Sequence, residues 1–479
     1  MNILNHLNDK IKMIVGEDTF EFISHAKNYI SATFFTKGLM FISIPILTRL
    51  LTPEEYGILS IFTSIISIST IILGLNFNGS IVRYFHEDNN DFEMFIFNNF
   101  IFLLFFDLII FYIIDLYKVY ISNLIGIETN IFLIAILVSI LKVPFNLYLY
   151  YLRASKKSKQ YSVISIVRRV FLLVVSILLI YLLSENKYYG KIYGELFIGI
   201  ITFFVSIYYL IKLSDPKIEF EHIKYSLFYG VPLIPHALSG FILSYFDRII
   251  INQISGGLST GLYSFAYNIG MIMNLIVMAM NKAWIPIFYD NLEAREYKKI
   301  DELAKNYSSY VFFAAAVLIL FSNEVVLIFA DKSYHEALSL VPVIIFGYIF
   351  VFLYTLFGNY SFYRKKTGLI SIASLSAAII NAGLNYLFIP RFGYSSAAYT
   401  TLFSYFLLFV FHYINAKFII KEEIIALREI LVNMSKLLMA ISLYYFLKHF
   451  IDSYYLLLIV KFVITIILSN YLILKFRIK

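Results

Sequence analysis

The apolar residues of this chain form long runs that recur roughly every 30 residues, with short polar stretches between them. An α-helix needs about 20 apolar residues to cross the hydrocarbon core of a bilayer. With that length as the window, the pattern predicts fourteen membrane-spanning helices. These spans lie near residues 29–51, 56–77, 93–116, 130–152, 161–183, 190–212, 225–251, 260–284, 307–330, 337–360, 367–389, 395–416, 430–450 and 454–475.

The composition supports an integral membrane protein. Hydrophobic residues make up 60% of the 479 residues and charged residues 15%, whereas soluble domains usually carry about 25% charged residues. The chain has no cysteine, which excludes disulfides, thiolate nucleophiles and cysteine-ligated metals. The net charge is +8, but the basic residues lie in short loops between apolar runs, so nucleic-acid binding is not expected.

Lysine and arginine divide the loops into two classes. The two termini and every second loop hold about 25 of them, and the intervening loops hold about 8, so the positive-inside rule places both termini in the cytoplasm. Residues 1–28 contain acids and lack a small-residue cleavage site, so they do not form a cleaved secretory signal. They are expected to be a cytoplasmic segment, either an interfacial helix or a frayed polar tail. The interfacial helix would use Ile3, Leu4, Leu7, Ile11, Ile14 and Val15.

Two short motifs occur twice, about 205 to 210 residues apart. Tyr56-Gly57-Ile58-Leu59-Ser60 corresponds to Thr260-Gly261-Leu262-Tyr263-Ser264, and the basic turn after span 4 corresponds to the one after span 10. An offset of six helices preserves orientation, so the halves would be parallel repeats with the substrate path between them. We therefore expect an N-lobe at 29–213, a C-lobe at 224–417, and two additional helices at 430–475.

The loops argue against an enzyme. The longest connection, 286–306, is short and lies on the basic side, whereas membrane enzymes that act on glycans need extramembrane segments to position catalytic groups. No Walker loop, metal-binding pair or nucleotide motif occurs. We expect a transporter without a metal or cofactor.

Cations inside the predicted spans are the main candidates for substrate binding. Lys37 lies in span 1, Lys142 in span 4, and Arg168 and Arg169 in span 5. Charges in the hydrocarbon region usually face an aqueous path, and Lys and Arg are suited to bind a diphosphate. Lys37 and the two arginines are alternatively close enough to the cytoplasmic interface to snorkel there.

Acids inside the spans are fewer. Asp107 is the deepest and is our first candidate for ion coupling, with pairing to a buried cation as the alternative. Asp247 in span 7 is a second candidate. Asp115 and Glu195 lie near the outer ends of their spans and are expected at the interface. Glu324 in span 9 could balance a cation or carry a coupling proton.

Span 7 contains Pro232 and Pro235, which remove backbone donors from one stretch of helix. A bent segment here could act as a hinge between inward-open and outward-open states. His236 could line the transport path, although a lone histidine is more often a structural hydrogen-bond partner.

Together these residues resemble the polysaccharide-biosynthesis flippases of the Wzx type, within the superfamily that also holds multidrug and toxin extruders and lipid II flippases. The resemblance covers essentially the whole chain. The motifs that carry it are Leu51-Thr52-Pro53-Glu54-Glu55-Tyr56-Gly57, Arg83-Tyr84-Phe85, Tyr151-Leu152-Arg153-Ala154, Val231-Pro232-Leu233-Ile234-Pro235-His236, Asp247-Arg248, Gly261-Leu262-Tyr263-Ser264-Phe265-Ala266 and Trp284-Ile285-Pro286-Ile287-Phe288-Tyr289.

The resemblance implies an all-α membrane fold of two parallel six-helix bundles forming a V around a cationic cavity, plus two C-terminal helices. It implies transfer of undecaprenyl-diphosphate-linked repeat units of O-antigen, capsule or exopolysaccharide, in the bacterial inner membrane alongside a polymerase and a chain-length regulator. Arg83, Asp247 and Arg248 are carried over as motif positions. A cation-coupled multidrug exporter and a lipid II flippase remain the alternatives; the exporter should have an acid-rich, apolar cavity.

Overall fold

A computed structural model describes residues 17–87, 91–213, 217–422 and 425–477. Within these residues the chain is α-helical, with short 3-10 and π segments and no strand. The α-helices are α1 Glu17–Leu50, α2 Pro53–Leu73, α3 Asn78–Glu87, α4 Phe92–Ile125, α5 Thr129–Ala154, α6 Ser158–Leu182, α7 Tyr188–Leu213, α8 Phe220–Gly230, α9 Ile234–Phe241, α10 Asp247–Glu293, α11 Tyr297–Leu320, α12 Ser322–Phe329, α13 Leu340–Tyr363, α14 Thr367–Phe392, α15 Ser396–Ile414, α16 Leu427–Phe450 and α17 Tyr454–Arg477.

Thirteen helical stretches of the described chain are long and apolar enough to cross a membrane. The longest, Phe220–Glu293, has 74 residues and would extend about 110 Å as one helix, against a hydrocarbon core of about 30 Å. Gly256 interrupts it with a left-handed φ of 80°. This stretch therefore supplies two spans, and the fourteen predicted spans of an all-α membrane protein are confirmed.

The first helix is longer than the predicted span, because α1 already begins at Glu17, within the predicted N-terminal segment 1–28. Its apolar, membrane-length part is Ser31–Leu50. The six apolar positions of the proposed interfacial helix lie outside the described residues. The turn that follows α1 has a local explanation in the sequence. Thr52 and Glu55 form a reciprocal capping box, and Pro53 occupies the first helical position, where its missing N–H has no cost.

The contacts between residues divide the chain into two compact units, of which the first ends at Leu238 and the second begins at Ser239. In the first unit α7 packs between α5 and α6, α1 packs on α6, and α2 packs on α5. The expected C-lobe begins at 224, whereas the structure groups α8 with the first unit. The reason is that α8 packs on α3 and α4, where Gly79 and Gly230 allow close approach to Tyr229 and Phe77.

In the second unit α13 and α15 form the most extensive helix pair, and α10 and α14 pack against them. The two helices outside the repeat, α16 and α17, pack on α11. Lys461 on α17 is buried and forms an ion pair with Glu324 at 2.7 Å. Glu324 therefore balances a cation, one of the two roles that the sequence left open for it.

Candidate functional site

The helices that carry the predicted cations of the first unit are held close together by small residues. Gly190 and Gly194 on α7 are four residues apart, a spacing that lets helix backbones approach closely in membranes. A Cβ at Gly194 would lie 3.1 Å from the Cα of Ser176 on α6. On another side of α7, a Cβ at Gly199 would contact Leu141 of α5. These approaches bring charged side chains of α5, α6 and α7 to one place.

Glu195 lies at the centre of this group. Its carboxylate is 3.1 Å from Nζ of Lys142, 3.5 Å from Nζ of Lys191 and 4.0 Å from Nη2 of Arg168. The four side chains are between 13% and 21% exposed, so they are largely removed from solvent while still accessible. We call Lys142, Arg168, Lys191 and Glu195 the cationic cluster; three positive charges in it share one negative charge.

Arg168 is incompletely satisfied. Its guanidinium lies over the ring of Phe145, 4.9 Å from the centroid. Nε and Nη2 are buried and donate no hydrogen bond within the described part of the chain. A buried donor without an acceptor costs free energy, and an anion entering the cluster would supply the missing acceptor. The arrangement therefore suits a phosphate or diphosphate better than a cation.

The structure brings together some of the predicted binding residues. Lys142 and Arg168 meet at Glu195, and Arg169 is partly buried and interacts electrostatically with Lys142 and Lys191. Lys37 lies on α1 with an exposed side chain. Glu195, which is expected from the sequence only as an interface residue, has its side chain inside the protein, because the packing of α7 on α5 and α6 turns it towards their cations.

Arg83 lies apart from the cluster, within α3. Its side chain is 53% exposed, pairs with Glu87 at 2.6 Å, and lies over the ring of Tyr229 at 5.2 Å. Glu87 also accepts a hydrogen bond from Tyr225 at 2.6 Å. These contacts join α3 to α8 within the first unit.

Sequence reasoning missed Lys191 and the role of Glu195. The predicted span begins at 190, so Lys191 lies at its end and is not among the cations predicted inside the membrane. The signal that could have found both residues is the segment Gly190-Lys191-Ile192-Tyr193-Gly194. Its two glycines predict a packed helix face, which places the neighbouring charges near another helix.

In the second unit, Arg248 is enclosed by aromatic rings. It is 2% exposed, and its guanidinium lies 4.7 Å from the ring centroid of Tyr245 and 4.8 Å from that of Tyr267. Nη1 donates to the carbonyl of Ser244 at 3.2 Å. In this conformation a phosphate reaches Arg248 only if the tyrosines move.

Asp247 begins a buried polar network. Its carboxylate accepts hydrogen bonds from the hydroxyl of Tyr263 and from the backbone N–H of Arg248, the latter at 2.8 Å. Tyr263 also hydrogen-bonds to Thr401 on α15, which accepts from Asn381 on α14 at 3.2 Å. The network continues through Asn385 to Thr400. These polar side chains are buried between packed helices, at positions where apolar side chains would be usual.

Asp107 lies near the middle of α4 and is 1% exposed. Its Oδ1 accepts no hydrogen bond within the described residues. A buried carboxylate without a donor is costly when ionised and is most stable in the protonated form. This is the environment expected of a group that exchanges a proton, and the structure offers no cation that pairs with it among the described side chains.

The proline segment of span 7 is irregular, as two prolines three residues apart predict. A 3-10 turn at Val231–Leu233 follows α8, and a π segment at Ile242–Phe246 follows α9. The division between the two units falls inside this stretch, after Leu238. Pro232, Pro235 and His236 are exposed.

One group of side chains has the composition of a metal site. Asp91, Glu219 and His222 offer ligand atoms within 4.8 Å of one another. However, Asn98 donates to Nδ1 of His222 at 2.9 Å, and its Oδ1 is engaged by the backbone N–H of Glu219. Nε2 must then carry the proton that it donates to Asp91 at 2.8 Å. The group is therefore a hydrogen-bonded connection between α4 and α8 rather than a metal centre.

Two proteins of Haemophilus influenzae are similar to this chain over most of its length. The chain is 26% identical over 372 residues to Lsg locus putative protein 1 of Haemophilus influenzae, covering 74% of this chain and 87% of that protein. It is 22% identical over 377 residues to an uncharacterized membrane protein of the same organism, covering 75% and 89%.

Solved structures share the fold. The lipid II flippase MurJ in an inward closed conformation superposes with a TM-score of 0.76 at 14% identity, covering 92% of this chain and 98% of that one. An inward-facing multidrug resistance transporter of the MATE family, in the MOP superfamily, superposes with a TM-score of 0.64 at 16% identity, covering 80% and 94%. At these identities the likeness concerns the fold.

A family model described as polysaccharide biosynthesis protein matches residues 26–292, which is more than half of the chain. The match includes the whole cationic cluster and the proline segment. It agrees with the fourteen spans and with the membrane transporters that share the fold. The chain belongs to the polysaccharide biosynthesis protein family.

Proposed function

We propose that this protein is a flippase in the cytoplasmic membrane of a bacterium. Its substrate is an undecaprenyl-diphosphate-linked oligosaccharide repeat unit of O-antigen, capsule or exopolysaccharide, which it moves from the cytoplasmic to the outer leaflet. Both termini then face the cytoplasm. Family membership and the fold of its structural relatives support transport of a polysaccharide precursor rather than catalysis.

The observation that carries the proposal is the cationic cluster. A saccharide head cannot cross about 30 Å of hydrocarbon unaided, because each unsatisfied polar group there costs several kcal/mol. Three cations around Glu195 retain net positive charge inside membrane-spanning helices, and Arg168 has donors without acceptors. A diphosphate would be held there while the polyprenyl chain stays in lipid.

Lys37, Arg169, Arg83 and Arg248 remain candidates of a different kind. Lys37 and Arg83 are exposed and lie outside the cationic cluster in this conformation. Arg248 is enclosed, so it would meet the substrate only at another stage of the cycle. The cycle itself would be alternating access, with Pro232 and Pro235 as the hinge. Asp107 and Asp247 would couple the change of state to an ion.

Transporters of two other substrates share this fold and are the rival interpretations. A multidrug exporter for cationic compounds would need acids where this chain has Lys142, Arg168 and Lys191, so the cluster disfavours it. A lipid II flippase would use the same diphosphate chemistry, and the two lipid carriers differ in the sugar and peptide they display. If the protein transports a polysaccharide precursor, its expected partners are a polysaccharide polymerase and a chain-length regulator.

The test is flipping of lipid-linked substrates in proteoliposomes by Lys142→Glu, which places a second carboxylate beside Glu195. Transport of undecaprenyl-diphosphate oligosaccharide, and surface polysaccharide in cells, should fall at least 10-fold, because one buried charge contact is worth more than about 1.4 kcal/mol. Lys142→Arg should retain transport. The matched control is Lys118→Glu, at a half-exposed lysine on α4 that pairs with Asp115.

Normal surface polysaccharide in a folded Lys142→Glu variant would refute the role of the cluster. Transport of lipid II in preference to the oligosaccharide lipid, with the same dependence on Lys142, would move the assignment to that substrate. Export of a cationic drug that survives Lys142→Glu would favour the multidrug function.

A further inference from the structure

In the described loops between spans, residues with a left-handed backbone conformation are of one kind on one side of the membrane and of another kind on the other side. On the side with few basic residues, Gly256 and Gly393 combine positive φ with ψ of 178° and 177°, a conformation almost exclusive to glycine. The loops there use Gly126 and Asn186 at left-handed φ. Glycine and asparagine adopt this conformation at the least cost. On the basic side, the corresponding loop residues among those described are Lys156, Arg295, Lys365 and Lys421, with φ between 56° and 61°.

Three of these basic residues occupy the same position of the same helix ending. After α5, the N–H of Lys157 donates to the carbonyl of Leu152 at 2.8 Å, while Lys156 donates to Arg153 at 3.3 Å. This pair of hydrogen bonds defines a Schellman ending, in which glycine is the usual left-handed residue. The endings of α10 at Arg295 and of α13 at Lys365 have the same bonds, and Gly126 closes α4 in the same way.

Glycine would therefore fit all four basic positions with less strain. Leu75 and Asn76 are also left-handed, but they lie in the break between α2 and α3 rather than in a loop between spans. The side chains of Lys156, Arg295, Lys365 and Lys421 are exposed. None of the four pairs with a carboxylate in the part of the chain that the structure describes.

The acids directly adjacent to Arg295 and Lys421 in the sequence, Glu296 and Glu422, already pair with other cations. Glu296 pairs with Lys299 at 2.7 Å, and Glu422 pairs with Arg364. The four charges are thus available to a ligand outside the protein. The four residues follow the ends of spans, where the headgroups of a bilayer lie. An even number of spans separates each from the next, so all four are on the same side of the membrane.

We propose that Lys156, Arg295, Lys365 and Lys421 bind the headgroups of anionic phospholipids in the leaflet on the basic side. A fixed turn holds each charge just outside its helix, where a lipid phosphate lies. Anionic lipid attracts basic residues at this level of a membrane. The energy of that contact offsets the strain of placing a residue with a side chain where glycine is favoured. The proposal does not depend on the transported substrate.

The experiment compares the protein in nanodiscs of phosphatidylcholine with and without phosphatidylglycerol. Unfolding is followed by the fluorescence of Trp284, the single tryptophan, which is buried. The variant carries Lys156→Gly, Arg295→Gly, Lys365→Gly and Lys421→Gly. We expect it to be at least as stable as the parent in phosphatidylcholine, because glycine relieves the strain, and to lose most of the stabilisation by phosphatidylglycerol.

Two controls separate charge from backbone. Asn186→Gly relieves a left-handed residue on the opposite side, and it should raise stability equally in both lipids while keeping the response to phosphatidylglycerol. The variant with Lys156→Arg, Lys365→Arg and Lys421→Arg should also keep that response. If the four-glycine variant responds to phosphatidylglycerol as the parent does, or if Asn186→Gly abolishes the response, the proposal is overturned.

Discussion

Nζ of Lys142 on α5 lies 3.1 Å from Oε2 of Glu195 on α7, although 53 positions of the sequence separate the two residues. The ion pair lies inside membrane-spanning helices, where breaking one partner leaves an uncompensated charge. Glu195 therefore has two roles in our interpretation. It stabilises the apo protein by neutralising part of the cationic cluster, and it competes with the anionic substrate for the same cations.

We expect Glu195→Gln to destabilise the protein, because Lys142, Lys191 and Arg168 then repel one another without a counter-ion. Removal of one partner of a buried ion pair costs about 3–5 kcal/mol. Combining it with Lys142→Met should restore much of the loss, which the unfolding midpoint in detergent would measure. Strictly additive effects of the two substitutions would mean that the pair is not coupled in the folded state.

The ion pair between Lys461 and Glu324 should be structural. Lys461→Met alone leaves a buried carboxylate unpaired and should cost about 3–5 kcal/mol, whereas Lys461→Met with Glu324→Gln should recover most of it. Lys448→Met, at an exposed lysine on α16, is the matched control and should change stability little. Transport by the double variant should match the parent, and a transport defect in a stable double variant would show a direct role in function.

The proline segment provides a test of the hinge. Pro232→Ala with Pro235→Ala restores two backbone donors and raises helix propensity by about 3 kcal/mol per residue where the site can become regular helix. The variant should bind lipid-linked substrate but flip it several-fold more slowly. Pro390→Ala, within α14, is the control for a helix proline away from the division between the units. Equal transport by parent and double variant would remove the hinge from the mechanism.

The roles of Asp107 and Asp247 can be distinguished by measuring how transport by variants of each residue depends on an ion gradient. Asp107→Asn and Asp247→Asn each keep the shape of the side chain and remove its charge. We expect the coupling residue, once neutralised, to leave substrate binding intact while transport no longer follows an imposed proton or sodium gradient. Asp115→Asn, at a half-exposed residue of α4 paired with Lys118, is the control. Unchanged gradient dependence in both variants would exclude both carboxylates.

Much of the fold is predictable because its signals are local. Each span is a continuous apolar run, so its position follows from hydropathy alone, and most predicted ends fall within a few residues of the observed ones. Span 7 shows the limit of this approach. The prolines predict irregularity, but only the packing of α8 on α3 and α4 decides that its first part belongs with the first unit.

The candidate site was less predictable. Lys142 and Arg168 are recognisable from the sequence because a cation in an apolar run is exceptional. Their meeting point at Glu195 is not, since it depends on the depth and rotation of three helices. Arg248 shows the opposite case, as an equally exceptional cation that the fold surrounds with Tyr245 and Tyr267.

The sequence alone determined that this chain is a polytopic membrane protein of fourteen helices with buried positive charge, since a bilayer imposes length and polarity on each segment separately. Only the tertiary structure decided which charges meet. The contacts of Lys142, Lys191 and Arg168 with Glu195, and the network that begins at Asp247, join residues far apart in the chain. Their geometry follows from helix packing, which apolar periodicity does not encode.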